Sequence, residues 1–171
     1  MTQSLRLKRL TLVAVLLALC VVGANVKIMG SIAFDSAPAF LGAILLGPID
    51  GAFLGFFGHM VSAALLGFPL TLPIHLVIAV MMAICMFAFG WIRKRFGRSR
   101  LATIVISDIV GYLINVPLEI APLYLMMNAA IFAFFIPLTI ATVLNLVVCE
   151  LVYAFLPQSI KTKPYLRSEI K

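Results

Sequence analysis

The sequence has 171 residues, of which 64% are hydrophobic and only 11% are charged, and its mean hydropathy is +1.18. A soluble domain of this length has too little interior to bury so much apolar surface, so the composition excludes a soluble fold and indicates a lipid bilayer as the main solvent. Crossing about 30 Å of hydrocarbon takes about 20 helical residues, which leaves room for roughly six membrane spans and no soluble domain. We therefore expect one membrane-embedded domain over residues 1–171.

The net charge of +7 comes from cations that cluster in "RLKR", in "RKRFGRSR" and in a tail over about 157–171. Each cluster lies at the end of an apolar run, which is typical of the positive-inside rule and disfavours nucleic-acid binding. The apolar runs cover about 7–25, 36–49, 51–68, 73–92, 101–127 and 129–156. If all six cross the bilayer, the three basic clusters fall on one side, so the sequence predicts an all-α protein with six transmembrane helices and cytoplasmic termini.

The first apolar run and the loop after it carry the first candidate residues. Ala14 and Ala18 are four residues apart, and small residues at this spacing leave a flat strip on which another helix can dock. Asn25 ends the run on the outer side, where we expect a long, flexible loop over about 27–36. Asp35 comes at the end of that loop and is predicted either to cap the second helix or to contact a ligand.

The third and fourth runs each carry one histidine. The third run has a ridge of small residues that predicts close helix packing: Gly51, Gly55, Gly58 and Ser62. His59 adjoins this ridge near mid-membrane, where it either bonds a neighbouring helix or reaches a cavity. His75 begins the fourth helix after the outer loop "GFPLTLP", and it either meets a ligand that enters between the loops or is solvated.

The fifth run holds the clearest set of polar groups. At 100° per residue, Asp108, Asn115 and Glu119 fall within about 40° of one helix face. Polar side chains within a membrane helix normally face the bundle interior, and Pro117 predicts a local break in the helix beside them. We expect Asn115 and Glu119 to contact a ligand, with helix–helix hydrogen bonds as the alternative, and Asp108 to be structural.

Two further residues complete the predicted site. Tyr112 lies between the polar positions of the fifth run and is predicted to form an aromatic wall, together with other aromatic residues of the outer half: Phe34, Phe40, Phe68 and Tyr124. Asn128 begins the sixth run on the outer side. No lysine or arginine lies deep in any run, so the sequence favours a neutral or weakly charged small molecule.

Catalytic motifs are missing from the sequence. There is no nucleophile with a plausible base, no metal-ligand spacing such as HExxH and no glycine-rich phosphate loop. We therefore expect a protein that is not an enzyme and that uses no metal or other cofactor. It also lacks a nucleotide-binding segment, so it cannot energise transport by itself.

The combination of six predicted spans, the Ala14/Ala18 pair, a long outer first loop and no energy module resembles the substrate-binding S component of energy-coupling factor (ECF) vitamin transporters. The resemblance implies a multi-pass protein of the bacterial cytoplasmic membrane that binds a vitamin or vitamin precursor near its outer face. It implies as partners a transmembrane coupling protein and two ATPase subunits. On this resemblance, Ala14 and Ala18 meet the coupling protein and the loops over 27–36 and 67–73 close over the ligand.

Three stretches, "ANVKIMGSIAFDSAPAFLGAILLGP", "GHMVSAALLGFPLTLPIHL" and "INVPLE", are most similar to members of this family assigned to alpha-ribazole, a nucleoside precursor of the lower ligand of cobalamin. The resemblance implies a planar benzimidazole ring, ribose hydroxyls for Asn115 and Glu119, and no phosphate. Cobalamin, pantothenate and folate are the alternative cargoes. A membrane scaffold protein that binds no ligand is the alternative outside transport.

Overall fold

The computed structural model describes residues 3–25, 27–28, 32–33 and 35–163. Two two-residue strands, β1 (Lys27–Ile28) and β2 (Ile32–Ala33), pair antiparallel within the predicted loop. The remaining described elements are helical: α1 (Gln3–Gly23), α2 (Ser36–Leu45), α3 (Pro48–Leu65), α4 (Leu72–Phe96), α5 (Leu101–Leu113), a π-helical segment (Ile114–Leu118), α6 (Glu119–Met127), a 3₁₀ segment (Asn128–Phe134), α7 (Phe135–Phe155) and α8 (Gln158–Lys161). Residues 29–31 and Phe34 of the predicted 27–36 loop and tail residues 164–171 lie outside the described residues.

The predicted apolar runs correspond to these helices, with two local differences. The second and third runs are separated at Gly47, whose φ of 106° is a left-handed conformation that favours glycine, and Pro48 then begins α3. The sixth run does not begin as an α-helix. It starts with the 3₁₀ segment, and α7 begins only at Phe135.

Three of the described helical stretches are long and apolar enough to cross a membrane: α3, α4 and the continuous stretch over Leu101–Phe155. The last has 55 residues, more than twice the length that about 30 Å of hydrocarbon requires. Its two halves run antiparallel, because Ser99, just before α5, contacts Tyr153 near the end of α7, whereas Tyr112, at the end of α5, contacts Thr139 near the start of α7. The chain therefore turns back within this stretch, between α6 and α7. The helix α2 is shorter, with 10 residues.

Helix α2 is the most enclosed part of the bundle. Eight of its ten residues are buried, and it packs against α1, α3, α4 and α7. The predicted small-residue ridge of α3 makes this packing possible: an added Cβ at Gly51 would lie 2.5 Å from the Cβ of Ala43, and one at Gly55 would lie 2.9 Å from the carbonyl oxygen of Met82. The ridge therefore packs helices closely, as the sequence predicted.

Ion pairs join the helices at the end of the bundle that carries the basic clusters, which we call the basic end. The Nε of Arg9 in α1 donates to the Asp50 carboxylate in the first turn of α3 at 2.7 Å. Arg93 of α4 is fully buried, and its Nη2 donates to Glu150 of α7 at 2.9 Å. Arg93 lies just past the predicted end of its run at residue 92, and because α4 continues to Phe96 the guanidinium is buried at this end, where Glu150 partners it.

The ridge gives a test of the packing. Replacing Gly55 by alanine forces a methyl group against the Met82 backbone, and we expect this overpacking to destabilise the protein by about 1–3 kcal/mol. The thermal unfolding midpoint in detergent measures the effect. Ala64→Leu, on the exposed face of the same helix, is the control and should leave the midpoint nearly unchanged. Equal midpoints for Gly55→Ala and the wild type would contradict the close packing.

Candidate functional site

A cavity of about 90 Å³ lies inside the bundle at the end opposite the basic clusters, which we call the cavity end. It is enclosed by the start of α2, by α3 and α4, by the connection between α3 and α4, and by the π segment, α6, the 3₁₀ segment and α7. Its polar lining comes from the start of α2, from α3 and α4, and from the π segment, α6 and α7: Asp35, Ser36, His59, His75, Asn115, Glu119, Thr142 and Asn145. Aliphatic side chains and Phe134 form the rest of the described lining.

The Asn145 side chain of α7 holds the start of α2 in place. Its Oδ1 accepts the Ala37 N–H at 2.8 Å, and its Nδ2 donates to the Ala141 carbonyl oxygen at 2.9 Å. The first N–H groups of a helix have no partner within the helix, and Asn145 supplies one from another helix. The prediction that Asp35 caps α2 was wrong in this respect, since its side chain makes no capping hydrogen bond.

Asp35 faces the cavity instead of the helix end. Its Oδ1 accepts a hydrogen bond from the Ser36 hydroxyl at 3.1 Å, and its other oxygen lies 3.9 Å from Nδ1 of His59. Glu119 is 2% exposed and lines the same cavity from α6. The described lining thus contains two carboxyl groups and no lysine or arginine.

The π-helical segment presents Asn115 to the cavity. Pro117 lies within this segment, and because proline lacks the N–H that an α-helix requires, it favours the looser backbone. The Nδ2 of Asn115 donates to Thr142 Oγ1 at 2.8 Å. Its Oδ1 is buried and has no hydrogen-bond partner among the described residues, so the cavity holds an acceptor that a ligand can use.

His59 and His75 bond each other across the cavity wall. The Nε2 of His59 lies 3.1 Å from Nδ1 of His75, and the Leu70 N–H donates to Nε2 of His75 at 3.3 Å. Both alternatives for His59 therefore hold, since it bonds a neighbouring helix and lines the cavity. His75 is 3% exposed, so the alternative of a solvated helix start was wrong. The ring is covered by the α3–α4 connection, which includes Leu70.

Five of the eight predicted ligand residues line the cavity, and three do not: Asn25, Tyr112 and Asn128. Asn25 is exposed and donates to the Val21 carbonyl oxygen of its own helix. The Tyr112 hydroxyl contacts Thr139 at 3.3 Å and its ring borders a groove between α5 and α7. Asn128 has a φ of 50° and is exposed. The expected position at an outer helix end did not bring Asn25 or Asn128 to the cavity, and the expected position between the polar residues of the fifth run did not bring Tyr112 there.

Asp108 also lies away from the cavity, in the groove between α5 and α7, which Glu150 also borders. It shares a helix face with Asn115, but seven residues of helix separate the two by about 10 Å along the axis. The expected aromatic wall is largely absent from the described lining. Phe40 is fully buried against Phe89, Tyr124 pairs with Phe132, and Phe134 is the lining aromatic residue that sequence reasoning missed.

Ser36, Thr142 and Asn145 were missed as cavity residues. Hydroxyl side chains are common within membrane helices and carry little signal on their own. Asn145 is the exception, since an amide in the middle of an apolar run is costly unless it is hydrogen-bonded. That cost was a usable signal, although the sequence does not show which helix end the amide meets.

The fold and the cavity define a helical membrane protein with an internal cavity near one end. The model of the family described as "ECF transporter, substrate-specific component" matches residues 8–157. The chain therefore belongs to the family of ECF transporter substrate-specific components, which are transporter subunits that work with an ECF module and a small-molecule substrate. Comparisons with curated proteins and with solved structures gave no match.

The Asn145 bridge can be tested by substitution. Asn145→Ala leaves the Ala37 N–H without its partner inside the bundle, and an unpaired buried donor costs about 1–3 kcal/mol. We expect a clearly lower unfolding midpoint in detergent. Asn25→Ala is the matched control, because that amide bonds its own helix at the surface, and it should change stability by less than about 0.5 kcal/mol. Similar midpoints for the two variants would remove the bridge as a stabilising contact.

Proposed function

We propose that this protein captures alpha-ribazole at the outer face of the cell membrane and delivers it to an ECF module. The observation that carries the proposal is the cavity lining, which combines hydrogen-bond acceptors with an apolar wall. Glu119, Asp35 and the unpartnered Asn115 Oδ1 can accept hydrogen bonds from ribose hydroxyls. The aliphatic wall and Phe134 suit a planar benzimidazole ring.

The charge of the ligand distinguishes alpha-ribazole from two of the alternative cargoes, pantothenate and folate. Pantothenate and folate carry carboxylates, which need a cation or several donors when they leave water. The described lining offers two carboxyl groups and no basic side chain, so an anionic ligand would find no cation there to balance its charge. A neutral nucleoside needs no such cation, and its hydroxyl groups match the available acceptors.

The volume of the cavity distinguishes alpha-ribazole from cobalamin as a cargo. The cavity volume of about 90 Å³ is below the roughly 300–1,000 Å³ that is usual for drug-sized ligands. A nucleoside needs the surrounding loops to move apart before it can enter, and a complete cobalamin needs a far larger rearrangement. The small cavity therefore favours the precursor over the finished cofactor.

The proposed topology has six spans with both termini in the cytoplasm. The basic end then faces the cytoplasm and the cavity end faces outward, as positive-inside asymmetry requires. Ala14 and Ala18 are exposed on α1, whereas Leu16 and Cys20 face the bundle. We assign the exposed alanine strip to the transmembrane coupling protein, which joins the subunit to two ATPases.

Calorimetry on the purified protein tests the cargo, with alpha-ribazole, cobalamin, pantothenate and folate compared side by side. We expect tight binding of alpha-ribazole alone. Asn115→Ala and Glu119→Ala should each weaken it at least several-fold, because each leaves a polar group of the ligand unpaired. Asn128→Ala, which changes an exposed residue away from the cavity, is the control and should bind as the wild type does.

Other results would redirect the proposal. Binding of a different vitamin would keep the transporter subunit and discard the cargo. Unchanged affinity in both Asn115→Ala and Glu119→Ala would remove these side chains from the binding site. A well-folded protein that binds none of the four, and that needs no ATPase for its role in cells, would favour a membrane scaffold.

The docking strip is tested separately from the cargo. Ala14→Leu combined with Ala18→Leu places two bulky side chains on the flat strip, and we expect the variant to lose co-purification with the ECF module. Ligand affinity should stay unchanged, because α1 does not contribute to the described lining of the cavity. Ala102→Leu, an equal enlargement at an exposed position of α5, should still co-purify. Normal assembly of the double variant would place the coupling protein on another surface.

A further inference from the structure

The two histidines connect the cavity to the loop that covers it. Leu70 belongs to the connection between α3 and α4, and its side chain lines the cavity. Its N–H donates to Nε2 of His75 at 3.3 Å, and the other nitrogen of that ring lies 3.1 Å from Nε2 of His59. A continuous chain of contacts therefore runs from the loop, through α4, to α3.

These contacts fix the protonation of both rings. Because Nε2 of His75 accepts the Leu70 N–H, it carries no proton, and the proton of the neutral ring lies on Nδ1. That Nδ1–H then donates to Nε2 of His59, which leaves the His59 proton on Nδ1. This nitrogen faces a carboxylate oxygen of Asp35 at 3.9 Å. The arrangement requires two neutral imidazoles with the same tautomer.

The loop itself is held in a strained conformation. Phe68 has a φ of 53° and Thr71 a φ of 77°, and neither residue is one that readily adopts left-handed backbone. The Phe68 ring lies 5.8 Å from the His75 ring. A strained loop persists only while surrounding contacts hold it, so the bond from Leu70 to His75 is well placed to decide whether the loop stays closed.

We propose that His59 and His75 form a latch that keeps the loop over residues 66–71 closed above the cavity while both imidazoles are neutral. A proton on His75 would place an N–H opposite the Leu70 N–H and release the loop. The role in controlling cargo entry rests on the proposed function, since the small cavity requires this part of the protein to open.

Several other groups face the pair and influence its charge. Asp35, which precedes α2, and Glu119 of α6 are acidic and favour a protonated imidazole when they are ionised, whereas burial favours the neutral rings. Cys20 of α1 packs behind α3 against Gly58. Within the described lining, α7 and the π segment contribute Asn145, Thr142 and Asn115, which do not titrate.

The tautomers give the first test. The sequence contains two histidines, so nitrogen NMR of ¹⁵N-histidine-labelled protein in detergent reports on these two rings alone. At pH 7.5 we expect both rings to be neutral with the proton on Nδ1. A ring protonated on Nε2, or a charged ring at that pH, would overturn the latch.

Hydrogen exchange at the Leu70 amide gives the second test. We expect His75→Phe, which has no acceptor, to exchange about tenfold faster than the wild type at pH 7.5 after correction for intrinsic rates. His75→Gln keeps an acceptor that cannot be protonated, so it should stay protected both at pH 7.5 and at pH 3.5. The wild type should lose protection at pH 3.5, where His75 gains its second proton. Equal protection in all three proteins at both pH values would refute the proposal.

Neither measurement uses a ligand, so the latch and the proposed function can fail separately. If alpha-ribazole does not bind but Leu70 exchange follows the histidine variants as expected, the cargo is wrong and the latch stands. If alpha-ribazole binds but His75→Phe leaves Leu70 protected, the latch is wrong and the substrate-capture function stands. Should His75→Phe fail to fold, the labelled wild type and His75→Gln still decide the matter.

Discussion

The cavity end of this protein depends on one amide, that of Asn145, which accepts a hydrogen bond from the first turn of α2. In an apolar bundle no water replaces a missing partner for a helix N–H, so the N–H groups at the start of α2 need an acceptor from another helix. Asn145 provides it for Ala37. The Asp35 carboxylate is thereby freed from capping, and the same bond fixes where Asp35 and Ser36 enter the cavity. The hydrogen bond that caps α2 therefore also sets the positions of these two cavity residues.

The carboxylates at the two ends of the bundle differ in whether a basic side chain lies beside them. At the basic end, Asp50 is paired with Arg9 and Glu150 with Arg93. At the cavity end, Asp35 and Glu119 line a space whose described walls carry no basic side chain. A buried carboxylate without a cation is costly, and two of them around one cavity are typical of a site that a ligand completes. This asymmetry supports a binding role for the cavity more strongly than its shape does.

Sequence reasoning predicted the helices well because lipid exposure leaves a strong signal. Apolar runs of the right length and basic flanks are local properties, and the chain follows them closely. The lining of the cavity was predicted in part: Glu119 and Asn115 stand out because polar groups in a membrane helix are costly. Asn145 and Thr142 were missed as cavity residues because their roles depend on which helix end or amide lies opposite, which is set by packing between distant segments. Tyr112 was predicted to belong to the site but does not line the cavity, because a residue's angle around the helix does not give its position along the helix axis.

Backbone strain and hydrogen bonds act in opposite directions on the loop above the cavity. A closed cavity of about 90 Å³ cannot admit a nucleoside, and a conformation that is only fractionally open lowers the apparent affinity by that fraction. Strain at Phe68 and Thr71, of order 1–3 kcal/mol for each residue, raises the free energy of the closed loop. Hydrogen bonds from the loop backbone, including the one to His75, offset this strain. Loss of the bond to His75 leaves more of this strain uncompensated, so on the proposed latch it shifts the loop towards opening, and contacts with a bound ligand shift it towards closure.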